Sequence, residues 1–494
     1  MARWAELEFA TADNRRSLAR AAQRRTLLRL APGVYTGQVD ADPVETARRL
    51  LLRILEHERP GIVITDASAR TGEPRGGVLH AASASSLRPL DLPGVTVRIR
   101  TGPGPQPSDM VLGSGIYLAS PARGLLDNLA VTRGSASRVM TRAEIEDWID
   151  DLVRSRGEAW LNQLRDQARA LAPPLHRERE FDLLDGLIGA ALGSRDDVTV
   201  VGEPMRSRVA GTPLDTGRVQ LFEEFATWLA DQPPNLLIDE PTLAERRRLL
   251  PFYEAYFSNF IEGTEFTLDE AADIVFEHET PAHRPADAHD VLATYELVSD
   301  ITEMTRLPRD ADDFLELLTD RHRVLMGGRP EKAPGQFKQR ANRAGQTVFV
   351  DPDLVEGTLR AGFEHYQGIA DPFSRAVFVM FFVAEVHPFA DGNGRIARIF
   401  LNAEVTAAQQ VRVIIPTVYR EDYLSGLRAV TRTRQFPALY RVLDYARRYT
   451  AAVNFTSRTT AETDFDRTHA LIDPREAERN GLRLQLPSKQ EQGD

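Results

Sequence analysis

Cysteine is absent from all 494 residues, which removes disulfide frameworks, thiolate zinc sites and cysteine nucleophiles and fits a reducing compartment. Long apolar runs are lacking too. The longest, Ala376 to Ala384, is under half of the ~20 residues a membrane-spanning helix needs. The opening Met1-Ala-Arg-Trp-Ala-Glu-Leu-Glu has no signal-peptide apolar region. A cytoplasmic chain with no membrane partner is therefore expected. Basic excess is missing as well: 61 basic against 72 acidic residues leave a net charge of −11 with histidine neutral. That excludes a chain-wide binder of phosphate backbones and leaves room for a local basic patch. There is no Gly-x-x-x-x-Gly-Lys-Ser/Thr loop and no Gly-x-Ser-x-Gly elbow, so the common ATPase and serine-hydrolase readings lack their motifs.

What is present is an ordinary globular composition, 42% hydrophobic and 27% charged. At roughly 150 residues per domain the length suits about three domains, or two with a helical connector. Clustered glycine and proline mark loops or boundaries at Thr101-Gly-Pro-Gly-Pro-Gln-Pro, at Ala170-Leu-Ala-Pro-Pro-Leu and from Gly202 to Gly217. Residues 13–30 read as a basic helix with six arginines, followed at Pro32-Gly33-Val34-Tyr35 by a tight turn into a wing-like apolar segment. Gly61-Ile-Val-Ile-Thr and Gly94-Val-Thr-Val-Arg-Ile-Arg have the composition of short strands, and Thr141 to Leu171 is helical behind a Thr-x-x-Glu capping box. From Val219 to Tyr449 the pattern turns helical, with apolar residues at three-four spacing over Leu249 to Ile261, Thr267 to His278 and Asp287 to Met304. The polar stretch after Asp473 is expected to be disordered.

Two motifs are decoys. His278-Glu279-Thr-Pro-Ala-His283 places its histidines five apart with Pro281 between them, which defeats the one-face alignment of a zincin helix. Gly392-Asn-Gly394-Arg-Ile-Ala397 spells a dinucleotide fingerprint, but His-Pro-Phe-Ala-Asp separates it from the apolar run, and no strand with a terminal acid follows.

The run His387-Pro388-Phe389-Ala390-Asp391-Gly392-Asn393-Gly394-Arg395-Ile396-Ala397-Arg398 carries chemistry. An apolar segment ends at a histidine, a two-glycine loop follows, and an amphipathic segment begins with arginines three apart. Gly392 and Gly394 allow a sharp turn and close ligand approach, and free N–H groups at the new helix start suit anionic oxygens. Arg395 and Arg398 share a helix face from which guanidinium forks can grip successive phosphates. Asp391 is a hard oxygen ligand of the kind Mg²⁺ takes beside phosphates, and Asn393 offers an amide donor. His387 stands where a general base would work, a step typically worth about 10²–10⁴ in rate.

This run resembles, position by position, the signature of the Fic family, His-Pro-Phe-x-Asp/Glu-Gly-Asn-Gly-Arg-x-x-Arg. Ile414-Ile-Pro-Thr-Val-Tyr-Arg-Glu-Asp-Tyr423 looks like the segment after the Fic core, and Pro334-Gly-Gln-Phe-Lys through Val348-Phe-Val-Asp-Pro352 like the stretch carrying the substrate-aligning flap. The resemblance implies a mainly α core that transfers AMP from ATP to a Ser, Thr or Tyr hydroxyl of a protein. In that scheme His387 is the base and Asp391 holds Mg²⁺. Gly392, Asn393 and Gly394 form the anion hole, and Arg395 and Arg398 hold the β- and γ-phosphates. Doc-like phosphotransferring relatives carry Lys where Gly394 stands, so nucleotidyl transfer is favoured over kinase action. Upstream, Ser258-Asn259-Phe260-Ile261-Glu262-Gly263 resembles the inhibitory motif Ser/Thr-x-x-x-Glu-Gly/Asn, which implies that Glu262 pairs with Arg398 and competes with the γ-phosphate.

Residues 17–35, with Ala119-Ser-Pro-Ala-Arg-Gly-Leu-Leu-Asp-Asn-Leu-Ala130, look like AbiEi-type antitoxin regulators, implying DNA binding through Arg15, Arg16, Arg20, Arg24 and Arg25. The expected fold is therefore multidomain, a mainly α Fic core behind an N-terminal mixed α/β, winged-helix-like region. Its parts are a winged-helix-like module at 1–60, an α/β region with helical connector at 61–200 and the Fic domain at 205–455. Within the last, the inhibitory helix falls at about 248–263 and the catalytic core at about 310–450, with a disordered tail at 474–494. Expected partners are ATP, a target protein, the chain itself as a modified substrate, DNA, and a second copy in a homodimer. Two rivals fit the same residues: a transcriptional or toxin–antitoxin regulator whose Fic part senses nucleotide, and a Fic enzyme using another nucleotide donor.

Overall fold

The computed structural model describes residues 4–130, 138–195, 197–239 and 244–487, with only the course of the chain over 244–247. It divides into two units, Met1–Gly211 and Thr212–Asp494.

The first unit is mixed α/β, as its composition suggests. β1 (Glu8–Phe9), β2 (Leu28–Ala31) and β3 (Val34–Thr36) form a three-stranded sheet in the order β1-β3-β2, with α1 (Arg15–Gln23) inserted before β2. Gly33 at φ 90° makes the hairpin turn that Pro32-Gly33 suggests. After α2 (Pro43–Arg49) and α3 (Leu51–Glu58), the chain builds a six-stranded sheet in the order β6-β7-β5-β4-β9-β8 from β4 (Ile62–Ile64), β5 (Val78–Ser83), β6 (Leu90–Leu92), β7 (Val95–Thr101), β8 (Met110–Gly113) and β9 (Ile116–Leu118). Ser120 then caps α4 (Pro121–Leu129), the expected strand-to-helix segment. Thr141 and Glu144 close their capping box on α5 (Arg142–Arg156), followed by α6 (Glu158–Leu175), α7 (Glu178–Ala191) and α8 (Glu203–Val209).

Three expectations need correction here. A helix-turn-helix requires two helices ahead of the wing, and the described residues place only α1 there, so the winged-helix module at 1–60 is not completed. Nor does a boundary fall at residue 60. One continuous core joins Leu7, Leu30 and Val34 to Ile54 and Leu55 of α3 and to Ile62, Val97 and Ile116 of the sheet. Ala170-Leu-Ala-Pro-Pro-Leu is not a linker either: it is the last turn of α6, where burial of Leu171, Ala172 and Leu175 outweighs the hydrogen bonds that Pro173 and Pro174 forgo. The polar stretch 202–217 holds the division between units at Gly211, together with the short α8.

The second unit is helical: α9 (Thr216–Ala230), α10 (Ala244–Ile261), α11 (Leu268–Ala272), α12 (Pro285–Ser299), α13 (Ile301–Thr305), α14 (Ala311–Leu325), α15 (Val355–Gln367), α16 (Pro372–Val386), α17 (Asn393–Ala407), α18 (Arg420–Thr433) and α19 (Phe436–Ala452). One hairpin, β10 (Arg343–Ala344) with β11 (Thr347–Val348), interrupts them. The apolar run Ala376–Ala384 lies in α16, a helix hydrophobic on all sides and so able to serve only at the centre of a bundle. Phe382 packs edge-on to Phe222 of α9 at 5.0 Å and stacks with Phe314 of α14 at 5.5 Å between ring centres. No helix among the described residues is long and apolar enough to cross a membrane.

A second core in this unit joins Phe252, Tyr253 and Phe257 of α10 to α20 (Arg458–Arg467) and to the segment beyond it. Here the expected disordered tail at 474–494 is corrected. Pro474 and an Asp473 side chain accepting from Arg475 and Glu476 start α21 (Pro474–Asn480), Gly481 at φ 65° ends it, and Ala477 and Leu484 are buried. The second unit accordingly continues past 455, and residues 488–494 lie outside the described residues.

Candidate active site

Asp371 and Pro372 start α16, and His387 ends it in the left-handed region at φ 54°. Its imidazole stacks on Phe349 at 3.7 Å. His387 Nδ1 lies 3.2 Å from the Ala384 carbonyl, and since that oxygen can only accept, Nδ1 carries the proton. Nε2 is then the lone-pair nitrogen, the form a general base requires. Burial pushes the His387 pKa down to about 4, and Lys338 adds to the depression while the Ala384 bond, Glu262 and Asp391 oppose it. The ring is neutral across the physiological range.

The loop from Pro388 to Gly392 is held from several sides. Asn393 Oδ1 accepts from Phe389 N–H at 2.8 Å and its Nδ2 donates to Phe389 O at 2.9 Å, so the side chain expected to face phosphate is instead the clasp that closes the loop. His322 of α14 donates from Nε2 to Asp391 O at 3.0 Å, accepts at Nδ1 from Gly335 N–H at 2.9 Å, and stacks on Phe389. Its burial drives its pKa down to about 4 as well. Gly392, at φ 76°, begins the turn into α17; a Cβ there would strike Met326 Sδ at 2.8 Å. The first N–H groups of α17, at Asn393 and Gly394, have no intrahelical acceptor, the arrangement that suits anionic oxygens at a helix start. Asp391 is partly exposed: Oδ1 accepts from Gly392 N–H at 2.7 Å, and Lys332 Nζ lies 3.8 Å from Oδ2.

The two arginines are not equivalent. Arg395 is buried with Nη1 2.7 Å from Asp290 Oδ2 and 3.3 Å from Asn259 Oδ1, so it braces α12 and α10 and does not present the free phosphate fork that spacing alone suggested. Arg398 donates from Nε to Ser258 Oγ at 3.0 Å, and from Nη2 to Ser258 O at 2.9 Å and Glu262 Oε1 at 2.8 Å. Burial works against its charge, but the Glu262 carboxylate holds its pKa above the ordinary value. A Cβ built on Gly394 would fall on Glu262 Oε1, so the carboxylate lies against the backbone of the anion loop itself.

Helix periodicity explains how Glu262 gets there. Glu254, Ser258 and Glu262 are four apart along α10 and its C-terminal turn, hence on one face. Glu254 accepts from Asn402 Nδ2 at 2.8 Å and Arg412 Nη1 at 2.9 Å, Ser258 meets Arg398, and Glu262 completes the row. Gly263, at φ 88°, turns the chain away.

The β10–β11 hairpin sits beside His387. Lys338 Nζ donates to Asn342 Oδ1 at 2.7 Å, Lys338 N–H to Pro388 O at 2.8 Å and Asn342 Nδ2 to Phe389 O at 3.0 Å, which ties the hairpin's root to the loop after His387. Burial pushes the Lys338 pKa down to about 8.

Residues 312–404 match the model of the Fic/DOC family. Residues 312–404 are a Fic/DOC domain. The chain is 27% identical over 223 residues to the protein adenylyltransferase Fic of Drosophila mojavensis, covering 42% of this chain and 43% of that one. It is 30% identical over 120 residues to protein adenylyltransferase fic-1 of Caenorhabditis briggsae, covering 24% and 23%. The chain thus spans less than half the length of these curated relatives. A solved structure of Fic-1 from C. elegans aligns over 62% of this chain and 95% of that one at 19% identity and a TM-score of 0.35.

Around this Fic domain, sequence reasoning missed His322, Lys338, Asn342, Phe349 and Asp290. Lys338, Asn342 and Phe349 lay within the flap-like stretch from Pro334 to Pro352, whereas His322 and Asp290 lay outside it. Among the described residues no three His, Asp or Glu side chains gather as a metal cage. Asp391 as a lone, partly exposed carboxylate beside an anion loop suits Mg²⁺ held jointly with phosphate oxygens.

Both depressed histidines should be visible in solution. An NMR pH titration is expected to find His387 and His322 titrating near pH 4, where an ordinary imidazole titrates near 6.5. The unfolded chain binds more protons between those values, so stability should rise with pH from about 4 to about 6.5. Midpoints near 6.5 for both rings, with stability flat across that window, would contradict buried neutral imidazoles.

Proposed function

We infer that this chain is a protein adenylyltransferase held off by Glu262. The observation that carries the reading is the coincidence, at one loop, of a neutral His387 with its Nε2 lone pair available, a helix start at Asn393 and Gly394 whose N–H groups have no intrahelical acceptor, and a buried Arg398 whose only carboxylate partner among the described residues is Glu262. ATP is the substrate. The hydroxyl oxygen of a Ser, Thr or Tyr side chain on a target protein attacks the α-phosphorus, and a new O–P bond forms. The bond from that phosphorus to the oxygen bridging the α- and β-phosphates breaks, and pyrophosphate leaves. The hydroxyl proton passes to His387 Nε2. The α17 N–H groups stabilise the charged phosphoryl oxygens, and Arg398 takes the γ-phosphate once Glu262 has withdrawn. Mg²⁺, held by Asp391, would neutralise charge on the phosphates. Phe349 and the Lys338–Asn342 ties hold the imidazole and its loop in position.

A second activity is proposed for the first unit. Arg16, Arg20 and Arg24 recur every four residues along α1 and its cap, and Arg15 and Arg25 flank them. All five are exposed, and among the described residues none pairs with a carboxylate, so the row suits phosphate contacts along DNA and a regulatory role.

Two experiments test these readings. With α-labelled ATP and Mg²⁺, covalent label should appear on the chain carrying Glu262→Gly and not on wild type or on Glu262→Gly/His387→Ala. An absence of label from Glu262→Gly in a protein that still binds ATP would defeat the adenylyl-transfer reading and favour another donor or a nucleotide sensor. For the first unit, binding of the full chain to duplex DNA should weaken steeply with salt and fall when Arg16, Arg20 and Arg24 become Glu. Binding unaffected by that triple change would remove α1 from any DNA contact.

A further inference from the structure

The hairpin beside His387 has an open edge and is basic, in a chain whose net charge is negative. Phe349 N–H donates to Asn342 O at 3.3 Å, and the register pairs Ala344 with Thr347 and Arg343 with Val348. Bonded and non-bonded pairs alternate along an antiparallel ladder, so Arg343 and Val348 form a non-bonded pair whose backbone groups face outward. On the β11 side, Val348 O already accepts from Arg218 Nη2 at 2.7 Å. On the β10 side, the Arg343 N–H and C=O face the open edge. Among the described residues, β10 is the side of this hairpin left open to a second strand.

Residues 333–350 contain Lys338, Arg340 and Arg343 and no Asp or Glu, in a chain of net charge −11. Lys338 is turned inward, while Arg340 and Arg343 are exposed and, among the described residues, paired with no carboxylate. Arg432 of α18 is exposed as well and reaches the hairpin through Thr347 Oγ1 at 3.4 Å. Carboxylates on the neighbouring helices are already engaged: Glu385 pairs with Arg218 and accepts from Thr431, and Glu224 pairs with Arg434 at 3.3 Å. Arg340 and Arg343 thus stand on the side of the open β10 edge and Arg432 on the β11 side of the same hairpin, whose Phe349 stacks on His387.

We propose that the protein segment presented to this site is acidic: an extended strand with Asp or Glu flanking its hydroxyl residue, added to the β10 edge and read by Arg340, Arg343 and Arg432. The proposal rests on the adenylyl-transfer reading for what happens to the hydroxyl, but not for the binding. Main-chain hydrogen bonds to Arg343 supply attachment, and the arginines supply the choice among sequences.

The test measures binding without transfer. Three fluorescent serine peptides of equal length, flanked by Asp/Glu, by Ala/Gly or by Lys, are titrated with the full chain by anisotropy. The acidic peptide should bind about ten-fold more tightly than the neutral one at low salt, a gap that closes as salt is raised. Changing Arg340, Arg343 and Arg432 together to Ala should abolish the preference while ATP affinity is unchanged, and Arg343→Lys should retain more of it than Arg343→Ala. Equal binding of the three peptides, or a preference that survives the triple change, overturns the proposal. Acidic-peptide binding by a chain that never transfers label leaves this inference standing and removes the activity reading instead.

Discussion

A guanidinium buried as deeply as Arg398 needs an anion beside it, because leaving such a charge unpaired costs several kcal/mol. The second unit is built around which anion that is. In this structure it is Glu262, offered from the end of α10 at 2.8 Å and lying against the backbone of Gly394. A phosphate oxygen satisfies the same fork at least as well, being doubly suited to it by charge and geometry. On the proposed reading the two anions exclude one another, and the state of the site is a competition between a tethered carboxylate and a diffusing nucleotide.

The site is held from many sides. Phe373, Phe378, Phe381 and Phe382 of α16 pack against aromatic rings of α9, α14 and α19, and this buried helix delivers its capping residue, His387, to the site. The loop after it is clasped by Asn393, propped by His322 and tied to the hairpin root by Lys338 and Asn342, which leaves little for the nucleotide to organise on binding. α10, by contrast, is held along its polar face by a row of bonds from Glu254, Ser258 and Glu262, and its last contact comes from a residue already past the helix end. Withdrawing Glu262 asks for movement of a terminal turn, with the Glu254 anchor left in place.

Much of this was legible in the sequence, and the reasons differ from residue to residue. The run from His387 to Arg398 was readable because its chemistry is local: apolar helix, histidine, glycine turn and arginine helix follow one another along the chain. Glu262 was found only through resemblance, although the four-residue spacing from Glu254 holds the same information once a partner helix is known. His322 and Asp290 were invisible because their roles depend on packing between helices distant in sequence. Arg395 misled for the same reason: spacing shows which face of α17 it occupies and cannot show that Asp290 waits there. The domain boundary at 60 failed because short strands and helices were counted without the shared core that joins Leu7 to Ile116. The tail failed because a low-hydrophobicity segment needs few anchors, here Ala477 and Leu484, to fold against an existing surface.

The central claim is that Glu262 and the γ-phosphate compete for Arg398, and the most direct measurement is calorimetric titration of ATP and of ADP into wild type and Glu262→Gly. ADP lacks the contested group and serves as the internal reference. Wild type should bind the two nucleotides alike, whereas Glu262→Gly should bind ATP more tightly than ADP by about ten-fold or more, the worth of one charge-assisted contact. Equal affinities for ATP and ADP in both proteins would mean that the ion pair and the γ-phosphate do not share a site.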